Sequence, residues 1–372
     1  MKPLKIRLNS YSSYKSYTLK LFPFLKLVQL IPLFTLVLFA LFVLIGCAAP
    51  ERKFPDIFWP QPPEEPKVKF VEIFESDLDV KEPSFLSVLL GEEVGSAFLK
   101  PYGVAVDKEG RIYVTDVGRV FVFDKKNHTL DFIGGEPGPG KLRIPIGIAI
   151  SQADDRVYVA DIAADKIFIY DTGGKFIGAI GAKAELEGPS GVAVDDKRQR
   201  LYVADTKKHN IRVYSLDGKI LSTIGGRGTE IGKLNFPTNI ALDSKGNLYV
   251  VDTGNFRVQV FDPEGKSIKK MGQIGDKPGD FARPKGVAVD SEGHVYVIDA
   301  AFQNFQIFNT EGQLLLVVGE GGGGLAQFSV PSGMTIDSED KIYVVDQLNA
   351  RVQVFQYLSE KWKKKQAEQP KK

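Results

Sequence analysis

A pattern recurring every 44 to 48 residues constrains this chain more than anything else in it. Pro101, Pro145, Pro189, Pro237, Pro284 and Pro331 each open a short apolar run. In the clearest copy, Phe236 to Gly275, runs at Asn239–Leu242, Leu248–Val251 and Val258–Phe261 are separated by Asp- and Gly-containing breaks, and a looser fourth run follows. Short β-branched and aromatic runs punctuated this way predict an antiparallel four-stranded meander. Both faces of such a sheet are too apolar for water, so copies must cover one another. The second run is the most regular, from Ile112-Tyr113-Val114 to Ile342-Tyr343-Val344, and each copy has an Asp two residues on: Asp116, Asp161, Asp205, Asp252, Asp299 and Asp346. Six units with no polar caps at the ends predict an all-β, six-bladed β-propeller of four-stranded antiparallel blades rather than an open solenoid.

The pattern P-x-G-[IV]-A-[VI]-D, then G-x-[IL]-Y-V-x-D, then [NR]-V-x-V-F-D resembles the NHL repeat. It is met closely at Pro284–Asp290, Gly246–Asp252 and Arg257–Asp262 and spans roughly residues 85 to 357. The resemblance implies a disc whose Pro-started strands line a central channel. Blade two departs from it, with Ser151 in place of the first Asp.

Ahead of the repeats, Lys2, Lys5, Arg7, Lys15, Lys20 and Lys26 precede an apolar run from Val28 to Ile45 that ends in Leu44-Ile45-Gly46-Cys47. A basic flank, an apolar core and a small residue describe a secretory signal over 1–46. Its ending resembles a bacterial lipobox, which implies cleavage before Cys47 and lipid attachment there. An uncleaved transmembrane anchor is the other reading. Both place the repeats on the far side of the membrane. Ala48 after the cysteine resembles lipoproteins sorted to the outer membrane, so in a Gram-negative cell the periplasmic face of that membrane is expected. With one cysteine in the chain, no intramolecular disulfide supports the domain.

Residues 47–83 read as a Pro-rich tether, semi-rigid and extended in its first part. Within it, Val68–Phe74 is either a strand against the disc or ordinary linker. Phe85–Gly91 (FLSVLLG) matches the fourth-strand pattern, and blade six has only three strands of its own, so this N-terminal strand is expected to complete the last blade and close the ring. The propeller is thus placed at 84–358, and the basic end at 359–372 reads as a disordered tail. Between residues 84 and 358 there are 31 Lys and Arg against 35 Asp and Glu, which argues against a nucleic-acid partner.

The six Asp residues ending the second strands precede a base in four blades, and these read as structural turn pairs, among them Asp116 with Arg119, Asp252 with Arg257 and Asp346 with Arg351. Asp107, Asp195, Asp243, Asp290 and Asp337 read as turn caps. Gly135–Lys141 has Leu142 where a phosphate loop needs Ser or Thr. His128, His209 and His294 fall at non-equivalent repeat positions, so no shared metal site is expected, and no cofactor or catalytic residue is assigned. What remains is recognition through the loops of one face, with Tyr102, Lys141, Arg143, Lys207, Lys208, His209, Arg227, Phe256, Lys285 and Phe302 as candidates. The expected function is a membrane-anchored binding or scaffold module for a protein, peptide or glycan in the cell envelope. The alternative, implied by resemblance to related propellers, is a metal-dependent lyase or lactonase working at the channel mouth.

Overall fold

The computed structural model describes residues 53–80, 97–182 and 184–368. The signal, Cys47 and Phe85–Gly91 lie outside them. A short strand β1 (Phe58–Trp59) and β2 (Val68–Phe74) precede the blades. Blade one comprises β3 (Val104–Val106), β4 (Ile112–Asp116), β5 (Arg119–Asp124) and β6 (Thr129–Ile133). Blade two has β7 (Pro145–Ser151), β8 (Arg156–Asp161), β9 (Lys166–Asp171) and β10 (Phe176–Ile180), and blade three β11 (Pro189–Asp195), β12 (Arg200–Asp205), β13 (Asn210–Ser215) and β14 (Ile220–Gly225). Blade four follows with β15 (Pro237–Leu242), β16 (Leu248–Asp252), β17 (Arg257–Phe261) and β18 (Ser267–Met271), and blade five with β19 (Pro284–Val289), β20 (Val295–Asp299), β21 (Asn304–Phe308) and β22 (Leu314–Val318). A two-residue pair, β23 (Glu320–Gly321) and β24 (Gln327–Phe328), leads into β25 (Pro331–Ile336), β26 (Lys341–Asp346) and β27 (Arg351–Tyr357) of blade six.

Each blade is an antiparallel meander, and the Pro-started strands form the inner ring. Six apolar clusters fill the six spaces between neighbouring blades. Every blade therefore buries both faces, as its composition requires. The Tyr of the second strand reaches back to cap the preceding turn. Tyr113, Tyr296 and Tyr343 donate to Asp107, Asp290 and Asp337 at 3.0, 3.0 and 3.1 Å, while the other carboxylate oxygen of each Asp accepts backbone N–H groups of its own turn. In blade two the missing carboxylate is supplied by its neighbour: Asp196 of blade three accepts from Ser151 Oγ at 2.6 Å and from the Gln152 N–H at 2.9 Å.

An N-terminal strand completes the last blade, but it is Val68–Phe74 rather than Phe85–Gly91. β2 pairs antiparallel with β27, with Val68 opposite Tyr357, Phe70 opposite Phe355 and Phe74 opposite Val352, and β1 adds a fifth strand outside it. The propeller thus reaches back into the stretch expected to be tether. β2 fills the cores on both sides of blade six, with a bulge between Phe70 and Glu72 shifting which side chains face each. Val68, Phe70 and Ile73 join the cluster between blades five and six, and Phe74 joins that between blades six and one. All four are at most 4% exposed, and their burial contributes on the order of 8 kcal/mol as an upper estimate.

The tail differs from expectation too. Residues Glu360–Glu368 form a helix, α1. Ser359 caps it, accepting the Trp362 N–H at 3.2 Å, and its own hydroxyl donates to Asp340 at 2.8 Å. Lys363 then reaches Glu65 at 2.8 Å, so the segment before β2 and the C-terminal helix meet at the closure.

Phe70 packs edge-on against Phe54 and Phe355 with ring centroids 5.6 Å away in both cases. Phe70→Ala should cost about 3–5 kcal/mol, read as a lower denaturant midpoint, whereas Ile177→Ala on the exposed outer edge of blade two should change it by less than about 1 kcal/mol. Equal effects would mean that β2 does not hold the ring shut.

Candidate functional site

Close packing of the inner strands decides what the channel can present. Two residues after the opening Pro, a glycine faces the next blade's backbone. A Cβ at Gly147 would stand 2.0 Å from Ser190 O, and one at Gly333 would stand 2.3 Å from Tyr102 O across the closure. Only glycine permits that approach. Blade four has Asn239 in this register, and its Nδ2 donates to Lys285 O at 3.0 Å. Hydroxyls stitch the same seam. Ser190 donates to Thr238 O at 2.7 Å, Thr206 to Pro237 O at 2.7 Å, Thr115 to Ile146 O at 2.8 Å and Ser332 to Tyr102 O at 3.0 Å. Most polar side chains at the mouth are therefore already occupied. Tyr102 and Lys285 are the candidates the fold brings together. Lys285 Nζ lies 5.9 Å from the Tyr102 ring centroid, although the two come from blades one and five. Burial, and secondarily Arg283, lowers the lysine pKa, and burial pushes the Tyr102 hydroxyl up to about 12.

The six recurring Asp residues do more than brace a turn. Each carboxylate holds the loop arriving from the preceding blade by its backbone N–H groups: Asp116 takes Leu99 and Lys100, Asp161 takes Arg143 and Ile144, Asp205 takes Glu187, Asp252 takes Asn235, Asp299 takes Ala282 and Arg283, and Asp346 takes Ser329. Charged pairs form in two of the expected cases, Asp252–Arg257 at 2.8 Å and Asp346–Arg351 at 2.9 Å. Arg119 does not pair with Asp116. Its guanidinium instead lies over Phe121 and Phe132, 4.7 and 4.4 Å from the ring centroids.

The remaining candidates divide by what holds them. Arg143, Lys207 and Arg227 are exposed on the loop face. Lys141 folds back onto Gly135 O at 2.6 Å, and Lys208 Nζ donates to the Ala184 and Glu185 carbonyls at 2.6 and 3.0 Å. His209 is buried, accepts the Phe236 N–H at 3.1 Å and packs against that ring at a tilt of 52°, while burial lowers its pKa. Phe256 packs onto the core between blades four and five, and Phe302 lines a shallow cavity with Pro278 and Gln306. His128 meets Val80 O and His294 meets Asp290, so the histidines are engaged separately. Among the described residues, no three His, Cys, Asp or Glu side chains gather as a metal site would require.

What charge-based reasoning missed is apolar. Leu99, Val117, Ile144, Ile231, Phe236, Ile274 and Leu348 are 46 to 73% exposed, and all lie in the inter-blade or second-to-third-strand loops of the mouth face. The Asp- and Gly-containing turns of the opposite face expose no large apolar side chain. Tyr102, Val117, Ile144 and Ile146 enclose a cavity of about 170 Å³ there, with Lys100 and Gln347 at its edge. The signal was legible as apolar residues standing where loops are usually polar.

The chain carries NHL repeats, matched at residues 234–261 and 281–308, and a family described as a 6-bladed beta-propeller matches residues 141–227. The fold is a six-bladed propeller. Among solved structures it is similar to virginiamycin B lyase from Staphylococcus aureus, at 15% identity and TM-score 0.51 over 69% of this chain and 94% of that one. A Bacteroides thetaiotaomicron protein of unknown function aligns at 18% identity and TM-score 0.57 over 76% and 75% of the two chains. An auxiliary nutrient binding protein from the same species aligns at 16% identity and TM-score 0.54 over 72% and 71%. At these identities the likeness is one of fold. No curated protein matches the chain.

Asp205 gives a test of the loop clamp. Blade three has Asn210 where blades four and six have Arg257 and Arg351, and Asp205 Oδ2 is left buried without a partner. Burial pushes its pKa from 3.8 up to about 6. The folded protein thus keeps a proton that the unfolded chain releases, and stability should fall as pH rises between those values, by on the order of 3 kcal/mol. Asp205→Asn should flatten that part of the pH–stability curve. An unchanged slope in urea titrations from pH 4 to 7 would refute the assignment.

Proposed function

We propose that the chain is a non-catalytic binding module of the cell envelope that takes a protein, peptide or glycan partner on the mouth face of the propeller. One observation carries this reading: seven large apolar side chains are exposed on that face and none on the turns opposite. An apolar patch kept in water on one face of a rigid scaffold marks an interaction surface. Arg143, Lys207 and Arg227 stand among these loops and suit an acidic rim on the partner. A nutrient-binding protein on the same fold supports a binding role without defining the ligand. The basic flank, apolar run and Leu-Ile-Gly-Cys ending support lipid attachment at Cys47 on the exported side, at the periplasmic face of the outer membrane if the cell is Gram-negative. Two or more acyl chains there would hold the domain stably on a bilayer.

The lyase or lactonase alternative draws on the fold shared with virginiamycin B lyase. The separate engagement of His128, His209 and His294 weighs against it. Elemental analysis after dialysis separates the two, since stoichiometric Zn or Ca would favour the enzyme. For the binding module, the full-length triple variant Leu99→Asp, Ile144→Asp, Leu348→Asp should capture its partner at least about tenfold less well in crosslinked membranes, with an unchanged thermal midpoint. Full capture by the variant would rule out this face. Cys47→Ser should move the protein out of the membrane fraction, and retention there would favour an uncleaved anchor.

A further inference from the structure

A second site lies away from the channel mouth and does not depend on the reading given above. It is a cavity of about 560 Å³ beside the closure, between the closing segment and blade five. Its floor is the outer strand of blade five, which like β10 (Phe176–Ile180) carries no polar side chain. The outer strands of blades three and four carry Ser222-Thr223 and Lys269-Lys270, whereas β22 reads Leu-Leu-Leu-Val-Val with no polar residue. Leu315 and Leu316 of that strand, with Ile307, make the apolar wall, and Leu315 is 52% exposed. The segment from Pro60 to Lys67 arches over this strand and leaves the space unfilled. The volume falls within the range of small-molecule sites, roughly 300–1,000 Å³.

The polar groups around this cavity have a sign. His294 and Tyr357 line one end, with ring centroids 5.4 Å apart at 73°. Behind them, His294 Nδ1 lies 2.9 Å from Asp290 and 3.9 Å from Glu292, and the Tyr357 hydroxyl donates to Glu292 at 3.0 Å. On the closing segment, whose Lys67 O accepts the Leu358 N–H at 2.8 Å, Glu65 is shared by Lys67 at 3.1 Å and Lys363 at 2.8 Å, while Glu64 has no partner among the described residues. Even with the imidazole charged, carboxylates outnumber bases, and the unmatched one is Glu64 at the entrance. An aliphatic wall, the Tyr357 ring and an unpaired carboxylate together suit a cation with a hydrocarbon body.

We propose that this cavity binds an apolar amine, its hydrocarbon against Ile307, Leu315 and Leu316 and its ammonium group at Glu64. Because the walls come from the closing segment, blade five and the last strand, the ligand bridges the elements that close the ring and stabilises the folded protein.

The test uses full-length protein titrated with hexylamine, with hexanol and hexanoate as matched controls, followed by calorimetry and thermal midpoint. Hexylamine should bind one per chain and raise the midpoint, hexanol should bind about tenfold more weakly, and hexanoate weaker still. Glu64→Gln should reduce hexylamine to the level of hexanol. Leu316→Trp should fill the space and abolish binding of all three. Should that variant fail to fold, Leu315→Lys at the exposed edge should repel the amine alone. Hexanoate binding as well as hexylamine, an unchanged affinity in Glu64→Gln, or no saturable uptake of hexylamine up to about 10 mM would each overturn the proposal.

Discussion

A four-stranded blade with apolar side chains on both faces has no stable state by itself, because water meets whichever face lacks a neighbour. A row of such blades leaves two faces open, and bending it into a ring removes both. The ring then needs a join, which this chain makes by hydrogen bonding rather than covalently. β2 lies beside β27 and contributes side chains to the cores on both sides of blade six. Across the same seam Ser332 Oγ and the Gly333 N–H both donate to Tyr102 O, so the inner and outer edges of the closure are tied separately. Six blades closed in this way enclose six cores.

The polar residues of the repeat serve the same end. An Asp at the end of each second strand takes the backbone N–H groups of the incoming loop, and at four of the first turns an Asp also accepts the hydroxyl of a second-strand Tyr. These groups recur because each blade repeats the same joint, and their lone pairs are spent on it. Chemistry particular to this protein is therefore left to side chains outside the repeat: the exposed Leu, Ile and Phe of the mouth face, the Lys285–Tyr102 contact in the channel, and the apolar outer strand of blade five. On such a scaffold the repeat positions are constrained and the site positions are free.

Blade number and the four-stranded meander were legible from the period, and the inner position of the Pro-started strands from the resemblance to the NHL repeat. The closing strand was not. VKFVEIF and FLSVLLG both read as strands, and choosing between them needed knowledge of two cores at once, which no local pattern contains. Lys208 and His209 illustrate the same limit at the candidate site. Both looked available as loop residues, yet one is held by carbonyls 23 and 24 residues away and the other by an N–H 27 residues away. Arg119 looked like the partner of Asp116 by analogy with Arg257 and Arg351, but two nearby rings, Phe121 and Phe132, draw its guanidinium over their faces instead.

Sequence by itself determined the repeat: where each blade starts, which Asp and Gly turn the chain, and that both faces of every sheet must be covered. These are short-range consequences of side-chain periodicity and turn chemistry, and they survive in any copy of the pattern. Tertiary structure decided which strand seals the ring, which polar groups are consumed in doing so, and which apolar side chains remain in water. The reason is geometric. Burial and hydrogen-bond satisfaction depend on neighbours tens to hundreds of residues away, and those neighbours are set only once the ring has closed.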